Sequence, residues 1–165
     1  MTTTSRVAAG ILSDAQAAKR EEVLELLRRA YWMEMETVMS YLANAENLDG
    51  VRAEEIAEAL AEGAEEELGH ARRFAARIKE LYGTPPGSAD FASDQPYLQP
   101  LADGTDVVPV IDGVIRAETG AIEHYLRIIE ACDGVDWATQ DLVIEILRDE
   151  EGHLRKFERY RSEYR

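Results

Sequence analysis

From Ser13 onward, apolar residues recur at alternating steps of three and four, the spacing that lines one face of a helix. One run reads Leu24, Leu27, Tyr31, Glu34, Val38, Tyr41, Ala45; the next reads Ile56, Leu60, Gly63, Glu67, His70, Phe74, Ile78, Leu81. A third reads Val108, Ile111, Ile115, Glu118, Ile122, Tyr125, Ile129, Cys132, and a fourth Val143, Ile146, Glu150, His153, Phe157, Tyr160, Tyr164. The pattern predicts helices over residues 14–48, 52–82, 106–132 and 136–163. Ser13 and Asp14 mark a start, Asp49-Gly50 and Asp133-Gly134 mark stops, and Pro109 falls in a first turn, where its missing N–H is tolerated. Residues 83–105 carry Pro85, Pro86, Pro96 and Pro100, which a helix interior excludes. No stretch alternates like a strand. The chain therefore reads as all-α, a single domain over 1–165 in which two helical hairpins are joined by one long crossover between the second and third helices.

Each of these seams is apolar except at its middle. The first and third carry one glutamate each, Glu34 and Glu118; the second and fourth carry a glutamate and a histidine, Glu67 with His70 and Glu150 with His153. Faces of this kind are what a bundle buries. A buried ion without a partner costs on the order of several kcal/mol, and four of them would exceed the roughly 5–15 kcal/mol by which a domain is stable. Two divalent cations would balance four carboxylates and turn the same residues into ligands.

The spacing sharpens this argument. Glu-x-x-His sets both side chains on one helical face, within reach of a shared ion. It occurs twice, and Glu67-Leu68-Gly69-His70-Ala71-Arg72-Arg73-Phe74 matches Glu150-Glu151-Gly152-His153-Leu154-Arg155-Lys156-Phe157 at Glu, Gly, His, Arg and Phe. A Glu-x6-Tyr element precedes each copy, Glu34 to Tyr41 and Glu118 to Tyr125. From first glutamate to second the offsets are 33 (67 − 34) and 32 (150 − 118). Each hairpin thus supplies half of a site related by a pseudo-twofold axis.

Composition narrows the partners. With 33 acidic residues against 18 basic ones, a net charge of −15 disfavours nucleic acid and anionic lipid. The single cysteine, Cys132, excludes an internal disulfide and any CxxC motif, in keeping with a reducing cytoplasm. Met1 to Gly10 contains one arginine and no long apolar core, and no run approaches a membrane span, so an untargeted, soluble chain is expected.

With these motifs in place, the sequence resembles the ferritin-like di-iron carboxylate family, specifically its bacterioferritin-like, rubrerythrin-like and Dps-like members with two ExxH motifs. The similarity runs through all four predicted helices and implies a ferritin-like four-helix bundle. It implies two bound iron ions, with Mn as the alternative metal. Glu34 and Glu118 would be terminal carboxylates, Glu67 and Glu150 bridging ones, and His70 and His153 would each bind one iron. Tyr41 and Tyr125 match tyrosines that hydrogen-bond ligand carboxylates or supply an electron. Leu68 stands where a bacterioferritin carries its haem-binding methionine, so no haem is expected. The paired CxxC motifs of a rubrerythrin's iron-sulfur domain are absent. Helix four reaches Arg165 without the fifth helix usual in 24-subunit cages, which points to a homo-oligomer such as a dimer or a smaller Dps-type shell.

The expected chemistry is a ferroxidase step, oxidation of Fe²⁺ by O2 or H2O2 for iron storage or detoxification. A rubrerythrin-like peroxide reductase, a di-iron oxidase or oxygenase acting on an organic substrate, and a metal-free interaction bundle remain alternatives. Of the remaining candidates, His124 lies off the seam and is expected at a surface or interface. Glu36, Glu66, Glu123 and Glu151 are expected to face away from the centre, as accessory metal positions at most. Trp32 and Met33 are expected at a subunit interface.

Overall fold

The computed structural model describes residues 9–164. The expectation that Met1 to Gly10 lacks a targeting segment falls mostly on residues 1–8, outside the described residues. The helices are α1 (Ala17–Asn47), α2 (Glu54–Glu80), α3 (Val107–Cys132) and α4 (Trp137–Glu163), and among the described residues there is no strand. The architecture is thus all-α, a four-helix bundle with one long crossover. A 3-10 turn at Asp14–Gln16 leads into α1, and two more, Ser88–Asp90 and Pro96–Leu98, lie within the crossover. At 26 to 31 residues each helix is about 40 Å long, so only the crossover can carry the chain from one end of the bundle to the other. The two short turns rely on glycines in left-handed conformation, Gly50 (φ 93°) and Gly134 (φ 69°), which other residues adopt only with strain. No helix is long and apolar enough to cross a membrane, among the described residues.

Within each hairpin the two helices pack along their length, α1 on α2 and α3 on α4, while α1 and α3 close the middle and α2 and α4 stand further apart. The interior divides into two apolar clusters. One contains Val23, Leu27, Phe74, Ile78, Tyr125, Ile128 and Ile146; the other contains Tyr41, Ile56, Leu60, Val110, Ile111, Val114 and Phe157. The charged seam positions lie between them. On α2 the whole expected face is buried. On α3 it is not: Val108, Ile115, Ile122 and Ile129 are half-buried, and Val107, Val110, Val114, Ala117, Ala121 and Ile128 take their place. A helix contacted from two sides buries a stripe wider than a strict three-four seam, and small residues such as Ala117 and Ala121 can sit where neighbours approach closely.

That wider stripe corrects the placement of His124. It is 5% exposed, with Nε2 2.8 Å from the Leu26 carbonyl oxygen, so it is a core group tying α3 to α1. Burial pushes its pKa down, which keeps the ring neutral and Nε2–H the donor. Glu36 is also buried rather than turned outward, and its Oε1 accepts from the backbone N–H of Asp94 (2.7 Å) and of Gln95 (2.8 Å). Asn44 Nδ2 donates to Leu98 O and Asn47 Nδ2 to Leu101 O, so α1 fastens the crossover at three levels. Trp32 meets Phe91 of the crossover edge-on at 6.5 Å, and Met33 packs against the first apolar cluster instead of an outer face.

Candidate metal centre

Helical period alone aims Glu34, Glu67, Glu118 and Glu150 inward from their four helices, and all four are 1–2% exposed. His70 (6% exposed) follows Glu67 by one turn on α2, and His153, half-buried, follows Glu150 by one turn on α4. Their rings lie 6.4 Å apart between centroids. The structure therefore brings all six expected ligands to one place, midway along the bundle.

The donor atoms fall into two overlapping groups. Glu34, Glu67, His70 and Glu150 form one; Glu67, Glu118, Glu150 and His153 form the other; within each, one ligand atom per residue lies within 4.8 Å of all the others. Exchanging the two hairpins converts the first group into the second. Glu67 and Glu150 belong to both, the arrangement bridging carboxylates require, whereas Glu34 and Glu118 belong to one each.

The protein's own donors do not fully satisfy the shared carboxylates. His70 Nδ1 lies 3.0 Å from both Glu67 Oε2 and Glu150 Oε1, and His153 Nδ1 lies 3.2 Å from Glu67 Oε1 and 3.3 Å from Glu150 Oε2. The hydrogen bonds go to Glu67 Oε2 and Glu150 Oε2, while the buried Glu67 Oε1 and Glu150 Oε1 face the imidazoles across hairpins as ion-pair contacts without a hydrogen bond. Natural interiors rarely leave such oxygens without a hydrogen bond, and both residues belong to both donor groups. A carboxylate and imidazole donor set, free of thiolate, suits Fe or Mn.

The same contacts shift the ionisable groups. Burial, the charges of Glu67 and Glu150, and a hydrogen bond to Glu67 hold the Glu34 carboxyl well above its usual range; Glu118 is raised by burial and by the same two charges. At Glu67 burial also acts upward, but hydrogen bonds from His153, His70 and Glu34 outweigh it and bring the group to about 2. Burial pulls both imidazoles down, yet their bonds to Glu150 and Glu67 dominate and raise His70 to about 10 and His153 to about 12.

The tyrosines are exchanged between hairpins. Tyr41 of α1 donates its hydroxyl to Glu118 of α3, and Tyr125 of α3 donates to Glu34 of α1. Burial raises both phenols well above 10, which keeps them protonated as donors. Gly63 makes room for the Tyr41 ring, since a Cβ there would stand 3.1 Å from it.

Two residues went unassigned as partners in the sequence. Asp149 Oδ2 lies 3.3 Å from His70 Nε2, and Glu66 Oε2 lies 2.5 Å from His153 Nε2. Each immediately precedes the shared glutamate of one helix and holds the histidine of the other. A carboxylate on the outer nitrogen fixes the tautomer, leaving Nδ1 free to face an ion. The signal was present, since an acid precedes the glutamate in both copies of the repeat, Glu66-Glu67 and Asp149-Glu150. Glu123 and Glu151 are exposed and take no part. Outside these contacts a cavity of 620 Å³ opens between α2 and α4, and both histidines line it.

A family model described as "Ferritin-like domain" matches residues 24–165. The bacterioferritin of Desulfovibrio desulfuricans is 28% identical over 141 residues, covering 85% of this chain and 74% of its own length. A DNA protection during starvation protein of Pyrococcus furiosus is 30% identical over 142 residues, covering 84% and 76%. Among solved structures, a bacterioferritin-related dodecameric thioferritin of Bacteroides fragilis superposes with a TM-score of 0.76 at 26% identity, covering 88% of this chain and 87% of that one. The D. desulfuricans bacterioferritin, whose diiron site was captured in different catalytic states, superposes at 0.75 with 27% identity, covering 88% and 81%.

Proposed function

Because this chain belongs to the ferritin-like family, we propose that it is a cytoplasmic ferroxidase, oxidising Fe²⁺ with O2 or H2O2 in the service of iron storage or detoxification. The observation that carries this reading is the pair of overlapping donor groups sharing Glu67 and Glu150 in a dry interior. His70 and Glu34 would hold one ion, His153 and Glu118 the other, with Glu67 and Glu150 between them. A bound iron pair would supply one electron from each ion, so that H2O2 and two protons would become two waters, or O2 and two protons would become H2O2.

The protein's own groups prepare that step. Tyr125 and Tyr41 orient the Glu34 and Glu118 carboxylates, while Asp149 and Glu66 orient the imidazoles. Burial excludes bulk water from the four carboxylates, which strengthens every interaction with a cation held there. The cavity reaching the histidines is lined by Glu66, Arg73, Arg148, Asp149 and Lys156. An organic substrate would be better served by an apolar wall, which favours iron oxidation over an oxygenase reaction.

Anaerobic loading with two Fe²⁺ per chain followed by air tests the proposal. Diferric absorbance, then continued turnover over many irons per chain, is the expected result. A chain that binds no iron refutes it, and one that stops after two irons but consumes peroxide with a reductant is instead a peroxide reductase.

Self-association belongs to the same reading. Trp32, Met35, Met39 and Leu42 form an apolar stripe on the face of α1 away from the core, with Met39 60% and Leu42 46% exposed. Arg28 and Glu46 cap the stripe, equally distant from residue 37. A second copy, antiparallel across a twofold axis at that level, would bring Met35 to Met39 and Arg28 to Glu46 twice, an isologous contact. Native mass of the wild type and of Met39→Glu is the test; a monomeric wild type would sink it.

A further inference from the structure

Three of the chain's four methionines fall within seven residues of α1, at Met33, Met35 and Met39. Met33 packs against the first apolar cluster, whereas Met35 is half-buried and Met39 is 60% exposed, on the face of α1 turned away from the paired carboxylates. Trp32, Met35 and Met39 follow one another at i, i+3 and i+7, so their side chains stack along one side of the helix. All three line a cavity of 190 Å³ between α1 and the crossover. Among the described residues no carboxylate, imidazole or thiol lines it, and its side-chain donor atoms are the two thioether sulfurs and the hydroxyls of Tyr31 and Ser88. A stripe that needed only to be apolar would be served as well by leucine, which forms helix equally well and matches methionine in volume. What methionine adds is a polarisable sulfur on a flexible stem.

We propose that Met35 and Met39 bind a soft monovalent cation of the Cu⁺ type, with the Trp32 ring against it. The site goes beyond the iron reading and does not depend on it. Thioethers select Cu⁺ over the divalent cations that carboxylate and imidazole hold, so the two sites sort ions by donor chemistry. One helical turn sets the two Cβ atoms roughly 5–6 Å apart, and from there unbranched side chains can close both sulfurs on one ion. An indole beside the sulfurs attracts a cation through the negative face of its ring. Phe91 meets Trp32 edge-on at 6.5 Å and so fixes the ring at the cavity. The net charge of −15 draws cations to the surface as a whole. A second copy seated on this stripe would set each sulfur beside its symmetry mates and keep the ratio of one ion per chain.

Ag⁺ is a diamagnetic probe of the same class and does not change oxidation state. Titrated into protein labelled at the methionine methyls, it should shift the Met35 and Met39 resonances, saturate at one ion per chain and leave Met33 nearly in place. Met35→Leu/Met39→Leu keeps the apolar stripe, so its native mass should match that of the wild type while it binds one Ag⁺ fewer per chain. Trp32→Leu should weaken binding roughly two- to fivefold, the size of an exposed cation–π contact. Competition with a Cu⁺ chelator under argon should order the variants in the same way. Cys132, buried in the core, is the remaining soft donor, and Cys132→Ala should leave both methyl shifts intact. Ag⁺ uptake without a shift at Met35 and Met39 would overturn the proposal, as would an unchanged stoichiometry in the double leucine variant. The methyl shifts are read on the wild-type chain without iron, so they decide the matter even where a variant misassembles and whatever the iron experiments return.

Discussion

Titrating the metal-free protein with Mn²⁺ or Co²⁺ at pH 7 under argon should release roughly two to four protons per pair of ions bound, since ligands must be proton-free to coordinate. His70 and His153 present Nδ1 to the shared carboxylates, and those carboxylates hold the rings protonated, at about 10 and about 12. Coordination removes the Nδ1 proton while Nε2–H stays on Asp149 or Glu66, which accounts for two protons. Glu34 and Glu118, raised by burial and by the neighbouring charges, supply up to two more. At pH 7 His70 lies three pH units below its pKa and His153 five, so displacing their protons opposes binding by about 4 and about 7 kcal/mol at 1.36 kcal/mol per unit. Binding energies of roughly 10 kcal/mol or more per structural ion can meet that, but apparent affinity for the pair should fall by about 100-fold to 10,000-fold for each unit the pH drops between 8 and 6. Calorimetry in buffers of different ionisation enthalpy counts the protons, and chelator competition at pH 6, 7 and 8 measures the slope. Release of less than one proton per pair, or an affinity flat across that range, would refute the account of the centre. Stability of the metal-free protein follows the same linkage. The histidine pKa values are raised on folding, so their contribution is complete below about 6.5 and is lost as pH rises toward 10 and beyond. Glu67 works oppositely, its contribution present above about 4.5 and lost toward 2.

Other expectations concern the supports of the site. Tyr41→Phe and Tyr125→Phe each remove the hydroxyl donated to Glu118 or Glu34, and each should lower stability by about 1–2 kcal/mol in urea unfolding and slow iron oxidation. Glu36→Ala leaves the Asp94 and Gln95 N–H groups without their acceptor, which should cost about 2–3 kcal/mol and expose residues 84–104 to limited proteolysis; a wild-type digestion pattern would count against it. Arg77→Met removes the cation that donates to Asp136 and to the Thr139 hydroxyl. Asp136 is 2% exposed, so thermal and urea unfolding should show a loss of about 3–5 kcal/mol, of which adding Asp136→Asn restores part.

The helices and their centre lie close to the surface of the sequence because both depend on short-range geometry. A three-four spacing sets Glu67 and His70 on one face wherever the helix goes, and prolines forbid helix in the crossover without knowledge of any neighbour. The duplication of the motif then tells which faces must meet. Folding in space decided the rest. Glu36 looks like one more surface acid until the crossover lies on it, and His124 looks exposed until α1 covers the far side of α3. Tyr41 serves Glu118 of the other hairpin rather than its own Glu34, Tyr125 serves Glu34, and Glu66 and Asp149 each hold the histidine of the opposite helix, pairings across 77 to 91 residues of chain. Period says which way a side chain leaves its own helix. Which group waits there is settled by how four helices of about 40 Å pack against one another, and that is a property of the whole chain.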